Sequence, residues 1–365
     1  MRPAKLVLLA IIAAPLWAQP APPDTLDLFV IAGQSNATGA GGDAALAPVP
    51  DRRTVYWVIN RQGAPSLVPA GVPQHLWNGT LGPAFGQRYH ELTGRPVALL
   101  QVGHRGTTVV ADAERGNGHW SATHVGPGPR GGPDRLSEAL AVVDSVRALR
   151  VGGSVLRPSG VIWVQGESDA VAVVRGLTTG PEFRAELELT TAALRDAIGT
   201  GGDAGPLYLV QSGRPLSRDS RGHRAIRTAQ ADGALRGWYD LVCQDALSFP
   251  ALGWMADDVH WAQPALDHVG EHVAEAAALD APPPYEPEDP RATQAEDGPL
   301  TAGALPYPNP VRPGQAVRGL EPGSVVVDAL GRVVGRADVY GVAAAPLAPG
   351  VYATADGARF TVRPQ

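Results

Sequence analysis

Cysteine is almost missing from this chain: of 365 residues one, Cys243, carries a thiol, so no intrachain disulfide is possible. A fold in an oxidising compartment must then rest on its core, and this length allows a large one. Cys243 itself, in Leu241-Val242-Cys243, reads as a small buried hydrophobe. No basic residue adjoins it in sequence to make it a nucleophile. Lysine is nearly absent, arginine carries the positive charge, and the formal net charge is −6. Without a Lys/Arg cluster there is no face for phosphate, which excludes a nucleic-acid partner. Long hydrophobic runs are lacking as well. The apolar run at 6–14 is too short to span a bilayer comfortably, and no later segment is longer. Charged residues make up only 18% of the chain, against 44% hydrophobic ones, which suits a folded globular protein. Glycine (44) and proline (35) are abundant, so many connections are turns or ordered loops.

The amino terminus has a short positive region, the apolar run 6–14 and a small residue at Ala18. It reads as a secretory signal over 1–18 that is removed after Ala18; the alternative is a membrane anchor. With the signal removed, no transmembrane span is expected. No cysteine follows the apolar core, which argues against a lipoprotein anchor.

Apolar runs recur at 28–32, 55–59, 97–102, 161–164, 207–211 and 241–243. Most are continuous, as strands buried on both faces of a parallel sheet are. Helical patterns lie between them at 83–92, 135–149, 181–198, 221–235 and 264–279. The alternation predicts an α/β fold, a three-layer sandwich on a mostly parallel sheet, over 25–280. Sites in such sheets lie beyond the carboxyl ends of the strands. The glycine-rich stretch 103–132 is long enough to be functional or mobile. After 280 the composition shifts. Residues 281–299 are Pro-rich and acidic and read as an extended linker. Residues 300–365 carry short β-like runs between glycine turns, a small β-rich domain without histidine.

The chemistry concentrates where strands end. The run Leu26 to Ile31 stops at Ala32-Gly33-Gln34-Ser35-Asn36. Ser35 is placed as a nucleophile, expected at the start of a helix, where its own N–H and the helix dipole face a developing oxyanion. The competing reading is a helix N-cap. His260, in Asp257-Asp258-Val259-His260-Trp261, can act as the base, with Asp257 holding one ring nitrogen; alternatively the two cap the next helix. Trp163-Val164-Gln165-Gly166-Glu167-Ser168-Asp169 adds three candidates. The Gln165 amide can donate to the oxyanion, Gly166 permits a tight turn, and Glu167 can replace Asp257 as the partner of His260 or tie loops together. Gly103-His104-Arg105-Gly106-Thr107-Thr108 offers the Gly106 N–H to the oxyanion, with His104 and Arg105 as substrate contacts or ordinary loop residues. Gln34 and Asn36 join them as candidate substrate-binding residues.

In this order, these segments resemble the sialic acid-specific acetylesterase and carbohydrate esterase family six branch of the SGNH/GDSL hydrolases. Arg227-Thr228-Ala229-Gln230 is similar to a further Arg-x-x-Gln segment of that branch. The likeness runs over about 25–280. It implies a flavodoxin-like fold and hydrolysis of O-acetyl groups on sugars without a metal or other cofactor. It also implies Ser35 as nucleophile, His260 as base, and an oxyanion hole of the Ser35 and Gly106 N–H groups with the Gln165 side chain. The acid stays open, Asp257 by the wider superfamily or Glu167 by the carbohydrate esterase branch. Two departures stand out. The usual Gly-Gly-Thr is Arg105-Gly106-Thr107, and Ala37 follows Asn36 where Met is commoner.

Residues 300–365, through Tyr307-Pro308-Asn309-Pro310-Val311 and Leu347-Ala348-Pro349-Gly350-Val351-Tyr352, resemble the type A sorting domain of the type nine secretion system. That implies the secretion machinery as a partner and a secreted or cell-surface location reached through the periplasm. The alternative is a carbohydrate-binding β-sandwich, disfavoured by the scarcity of aromatics to stack on sugars. For the whole chain the expected partner is an acetylated carbohydrate. Two other functions compete: a glycan-binding protein that has lost catalysis, and a short-chain lipid or aryl esterase.

Overall fold

The run at the opening of the folded region becomes β1 (Thr25–Gly33), and every residue after Thr25 is buried. Both faces are covered, as an unbroken apolar run requires. The computed structural model describes residues 23–281, apart from 62–63, 72–76, 78, 148–149, 201 and 217–220, and the backbone of four strands beyond 281. The expected leader at 1–18 and residues 282–299 of the expected linker lie outside the described residues.

Seven further strands join β1: β2 (Val55–Arg61), β3 (Ala64–Pro69), β4 (Val97–Gln101), β5 (Arg150–Val151), β6 (Ser154–Val164), β7 (Leu207–Val210) and β8 (Asp240–Cys243). The sheet order is β3-β2-β4-β1-β6-β7-β8, with β5 beside β6. All neighbours are parallel except the β2–β3 and β5–β6 pairs. The helices are α1 (Gly82–Thr93), α2 (Arg135–Arg147), α3 (Glu167–Val174), α4 (Gly180–Ile198), α5 (Arg221–Leu235), α6 (Phe249–Leu252) and α7 (Gln263–Asp280).

The pleat of β1 splits its side chains between two cores. Leu26, Leu28, Val30 and Ala32 pack with residues of α2, α3, α4 and α5. Phe29 and Ile31 pack with residues of α1, α6 and α7. This is the expected three-layer α/β sandwich. Phe29 meets Phe85 and Tyr89 edge-on at 4.8 and 5.0 Å, each pair worth about 0.5–1.5 kcal/mol beyond its buried area. Asp27, at the amino end of β1, is buried against Arg95, Arg157 and the Tyr89 hydroxyl. Lone burial of that carboxylate would be costly, and the three donors offset it.

Chain order places the site. After β1 the chain fills the sheet on one side through β2 and β4, then crosses to β6 on the other. The strand order therefore switches at β1, where a crevice opens at the carboxyl ends. Gly33 and Val164, the last residues of β1 and β6, are paired in register. The segments that follow them must meet.

Beyond 281 the strands β9 (Val325–Asp328), β10 (Val333–Arg336), β11 (Gly350–Thr354) and β12 (Arg359–Val362) form an antiparallel sheet in the order β10-β9-β11-β12. Among the described residues, no helix is long and apolar enough to cross a membrane.

Candidate active site

The Gln34 N–H continues the pairing of β1 by donating to Val164 O at 2.9 Å, and then the chain turns away. Ser35 follows at once, 8% exposed. Its carbonyl accepts from Ala40 N–H at 3.0 Å and Thr38 Oγ1 at 2.9 Å. Residues 35–41 are a series of turns and not the helix expected from the sequence, because the glycines at 39, 41 and 42 break it. No helix dipole acts on Ser35. Among the described residues, neither its N–H nor its hydroxyl has a hydrogen-bond partner.

Asp257 builds its own turn. Its Oδ1 accepts the N–H groups of Val259 and His260, both at 2.8 Å. That Asx turn swings the His260 ring back onto Oδ2, which lies 2.6 Å from Nδ1. With Nδ1 donating, Nε2 is the nitrogen left to accept a proton. Partial burial pushes the Asp257 carboxyl up, but the His260 ring and the two N–H donors outweigh it and hold it at about 2. It is ionised wherever the histidine works.

Asn36 joins serine and histidine. Its Nδ2 donates to Val259 O at 3.3 Å, and its Oδ1 accepts from Trp261 N–H at 3.1 Å. The residues flanking His260 are thereby clamped to the residue following Ser35. A Cβ on Gly41 would lie 2.5 Å from Trp261 O and 3.0 Å from the His260 Cβ, so only glycine lets the serine turn approach the histidine loop this closely.

Glu167 opens α3, after Gly166 at φ 148°. It is buried, and both oxygens are occupied: Oε2 by Gln34 Nε2 at 2.5 Å, Oε1 by Asn36 Nδ2 at 2.9 Å. Burial pushes its carboxyl up, opposed by the Asn36 bond and by the nearby charge of His260. It senses His260 through space, while the hydrogen bond to the ring belongs to Asp257. Gln34 and Asn36, expected to touch substrate, are 2% and 1% exposed. Their amide groups face Glu167, so they brace the site from inside.

Gln165 also differs from expectation. Its Nε2 donates to Thr107 O at 2.9 Å and to Asp169 Oδ2 at 3.0 Å, which uses both amide hydrogens. None is left for an oxyanion. Asp169 further accepts Val109 N–H at 2.9 Å and Val110 N–H at 3.4 Å. Together Gln165 and Asp169 hold the segment 107–110 against the end of β6. Burial drives the Asp169 carboxyl up to about 7, against the pull of these donors. Gly106, just before that segment, lies at φ 71°, and among the described residues its N–H has no partner. His104 and Arg105 are exposed beside it. The His104 ring is partly desolvated even so, which together with the charge of Arg135 pushes its pKa down, and Arg135 Nη1 lies 3.4 Å from its Nε2. Arg105 Nε lies 3.4 Å from Thr38 Oγ1.

The Arg-x-x-Gln segment lies directly behind. Gln230 accepts from Ser212 N–H at 3.1 Å and donates to Gln165 O at 2.8 Å, and Arg227 donates to Ser212 O at 2.6 Å. Sequence reasoning noticed Asp169, Arg227 and Gln230 only as parts of motifs. Their roles depend on burial, which has no sequence signature beyond polar residues beside apolar strands.

The family of carbohydrate esterases described as sialic acid-specific acetylesterase matches residues 25–279. No curated protein matches the chain significantly. Among solved structures, a protein from Arabidopsis thaliana is 18% identical with a TM-score of 0.41, over 70% of this chain and 98% of that one. A carbohydrate acetylesterase from Xanthomonas citri is 15% identical with a TM-score of 0.45, over 93% and 80%. A carbohydrate acetylesterase from Sinorhizobium meliloti is 12% identical with a TM-score of 0.35, over 69% and 98%.

Proposed function

Because the chain belongs to the sialic acid-specific acetylesterase family of carbohydrate esterases, and is a carboxylic ester hydrolase, we propose that it releases acetate from O-acetylated carbohydrate, of the acetylxylan or sialate type, through an acyl-enzyme on Ser35. The observation that carries this reading is the 2.6 Å contact of His260 Nδ1 with Asp257 Oδ2, which leaves Nε2 as the base on a loop that Asn36 ties to the serine turn. Ser35 Oγ attacks the acetyl carbonyl as His260 Nε2 takes its proton. Asp257 stabilises the imidazolium without taking the proton. The oxyanion receives the N–H groups of Ser35 and Gly106. The C–O bond then breaks, the sugar oxygen leaves with the proton from His260, and the acetyl group stays on Ser35. Water, deprotonated by the same nitrogen, attacks the acyl-enzyme; acetate leaves and Ser35 is reprotonated. His104 and Arg105 contact the sugar in this reading, which their exposure next to Gly106 supports. Gln165 acts through the loop it holds.

Ser35→Ala tests the assignment. Acetate release from an aryl acetate and from acetylated xylan should fall by about four to six orders of magnitude with the thermal midpoint unchanged. Activity within tenfold of wild type would remove Ser35 from the mechanism. Export completes the proposal: the apolar leader and the sorting-domain likeness of residues 300–365 support delivery to the medium or cell surface. Sequencing the amino terminus of the exported protein should give Gln19 as the first residue.

A further inference from the structure

Away from the serine, β8, the turn after it and α7 bring four potential ligands to one point. The free thiol of Cys243, an oxygen of Asp245 and one ring nitrogen each from His268 and His272 all lie within 4.8 Å of one another. We propose that these four residues bind a divalent cation of the zinc type, which staples β8 to α7 and has no part in the ester chemistry.

The donor set selects the metal. One thiolate, two imidazoles and one carboxylate suit tetrahedral zinc, whereas magnesium and calcium want oxygen ligands. His268 and His272 are four residues apart, so the helix places both rings on one face, with centroids 4.2 Å apart. Both aim Nε2 at the same carboxylate oxygen: Asp245 Oδ2 lies 2.9 Å from His268 and 3.9 Å from His272. The backbone N–H of Asp245 bonds the Cys243 sulfur, an outer contact of the kind that orients a thiolate ligand. Around tetrahedral zinc, ligand atoms stand about 3.3–3.8 Å apart. The present spacing closes to that by side-chain adjustments of about an ångström. Cys243 is buried while the other three are at least partly exposed, so a cation can reach the site from solvent. On binding, the thiol proton passes to water and the sulfur–metal bond forms.

The surroundings argue for a structural role. Glu271, between the two histidines in sequence, lines a separate cleft with Arg88 and Glu275. The carboxylate within the cluster, Asp245, is itself one of the four ligands. The rings lead toward the esterase site instead: His268 packs on Phe249 at 6.0 Å, and Phe249 packs on Trp261 at 5.5 Å, next to His260. A metal here would stiffen the support of the histidine loop.

The test uses the full chain, stripped with a chelator and titrated with cobalt(II) and then zinc(II). One equivalent of cobalt should bind, giving tetrahedral d–d bands and a thiolate-to-cobalt charge-transfer band that zinc abolishes. Cys243→Ser should lose the charge-transfer band. His272→Ala, at a half-exposed position tolerant of change, should weaken zinc binding at least tenfold. Zinc at a hundredfold excess over Kd should raise the thermal midpoint by roughly 5 °C or more in wild type and leave His268→Ala/His272→Ala unmoved. Ser35→Ala should bind zinc as wild type does, which separates this inference from the esterase reading. Metal content no higher than a chelated blank would overturn it, as would a cobalt spectrum and affinity indifferent to both Cys243→Ser and His272→Ala.

Discussion

Asp257 uses both carboxylate oxygens, Oδ1 to make the turn and Oδ2 to hold the ring. Asp257→Asn keeps one acceptor and replaces the other with an amide NH2 donor that faces the Nδ1–H. The ring must then turn or change tautomer, and the base at Nε2 is lost. We expect kcat to fall by about 10²–10⁴-fold with KM within a few-fold. Glu167→Gln is expected to act differently. One of the two amide donors, Gln34 or Asn36, then meets an amide nitrogen, so the main effect is a loss of stability of about 1–3 kcal/mol. Turnover by the folded fraction should drop much less than in Asp257→Asn. Steady-state kinetics beside thermal melts separates the two. If Glu167→Gln proves the worse for kcat at unchanged stability, the acid role moves to Glu167.

At the level of elements, the loop after β4 and the start of α3 depend on the buried Asp169. Its carboxyl titrates near 7 in the fold, against about 3.9 in an unfolded chain. The folded state therefore binds this proton more tightly. Its contribution is complete below about pH 4 and is lost as pH rises to about 7, a decline on the order of 4 kcal/mol. The stability advantage of wild type over Asp169→Asn should thus be larger at pH 5 than at pH 8. An advantage equal at both pH values would mean that the carboxyl is ionised throughout. Gly41→Ala probes the neighbouring joint. A Cβ there collides with the carbonyl of Trp261, so the histidine loop must shift, and kcat should fall by roughly 10–100-fold while binding of zinc at the cluster on α7 persists.

These joints also show where sequence reading stops. Continuous apolar runs revealed the buried parallel strands, and α5 appears with the predicted limits, 221–235. No helical pattern is evident at 167–174, whose opening residues Glu167 and Asp169 are polar; the chain buries both at the first turn of α3. β3 was missed because Ala64-Pro65-Ser66-Leu67-Val68-Pro69 begins and ends with proline-bearing pairs, which an antiparallel edge tolerates. The contact of His260 with Asp257 was legible in their three-residue spacing, and the position of Ser35 in the apolar run that stops at Gly33. The expected roles of Gln34, Asn36 and Gln165 were not, because a side-chain amide beside a nucleophile looks the same whether it faces substrate or a buried carboxylate. The pair His268 and His272 carried a ligand spacing, but Cys243 and Asp245 come from another element, and only the fold unites them.

For the molecule as a whole, both cores lie on the faces of one sheet, and their residues run from Leu26 to Ala281. Every residue placed in the ester chemistry falls in the same span. The order of the strands explains why: the switch at β1 brings the loops after β1, β4 and β6 together, and α7 packs against α1 directly after the histidine loop. The arrangement described is built from residues before 282. Deleting them should leave kcat/KM on an aryl acetate within about twofold of the full chain, with the melting transition of the esterase unit moved by no more than about 2 °C. Secretion should fail in the same deletion if that segment routes export, so the variant protein would be recovered from the cell rather than from the medium. A large loss of kcat/KM would show that the segment contributes to the site. Full activity together with undiminished export would leave the sorting likeness without a function, and binding of the isolated segment to polysaccharide would then be the measurement that decides its role.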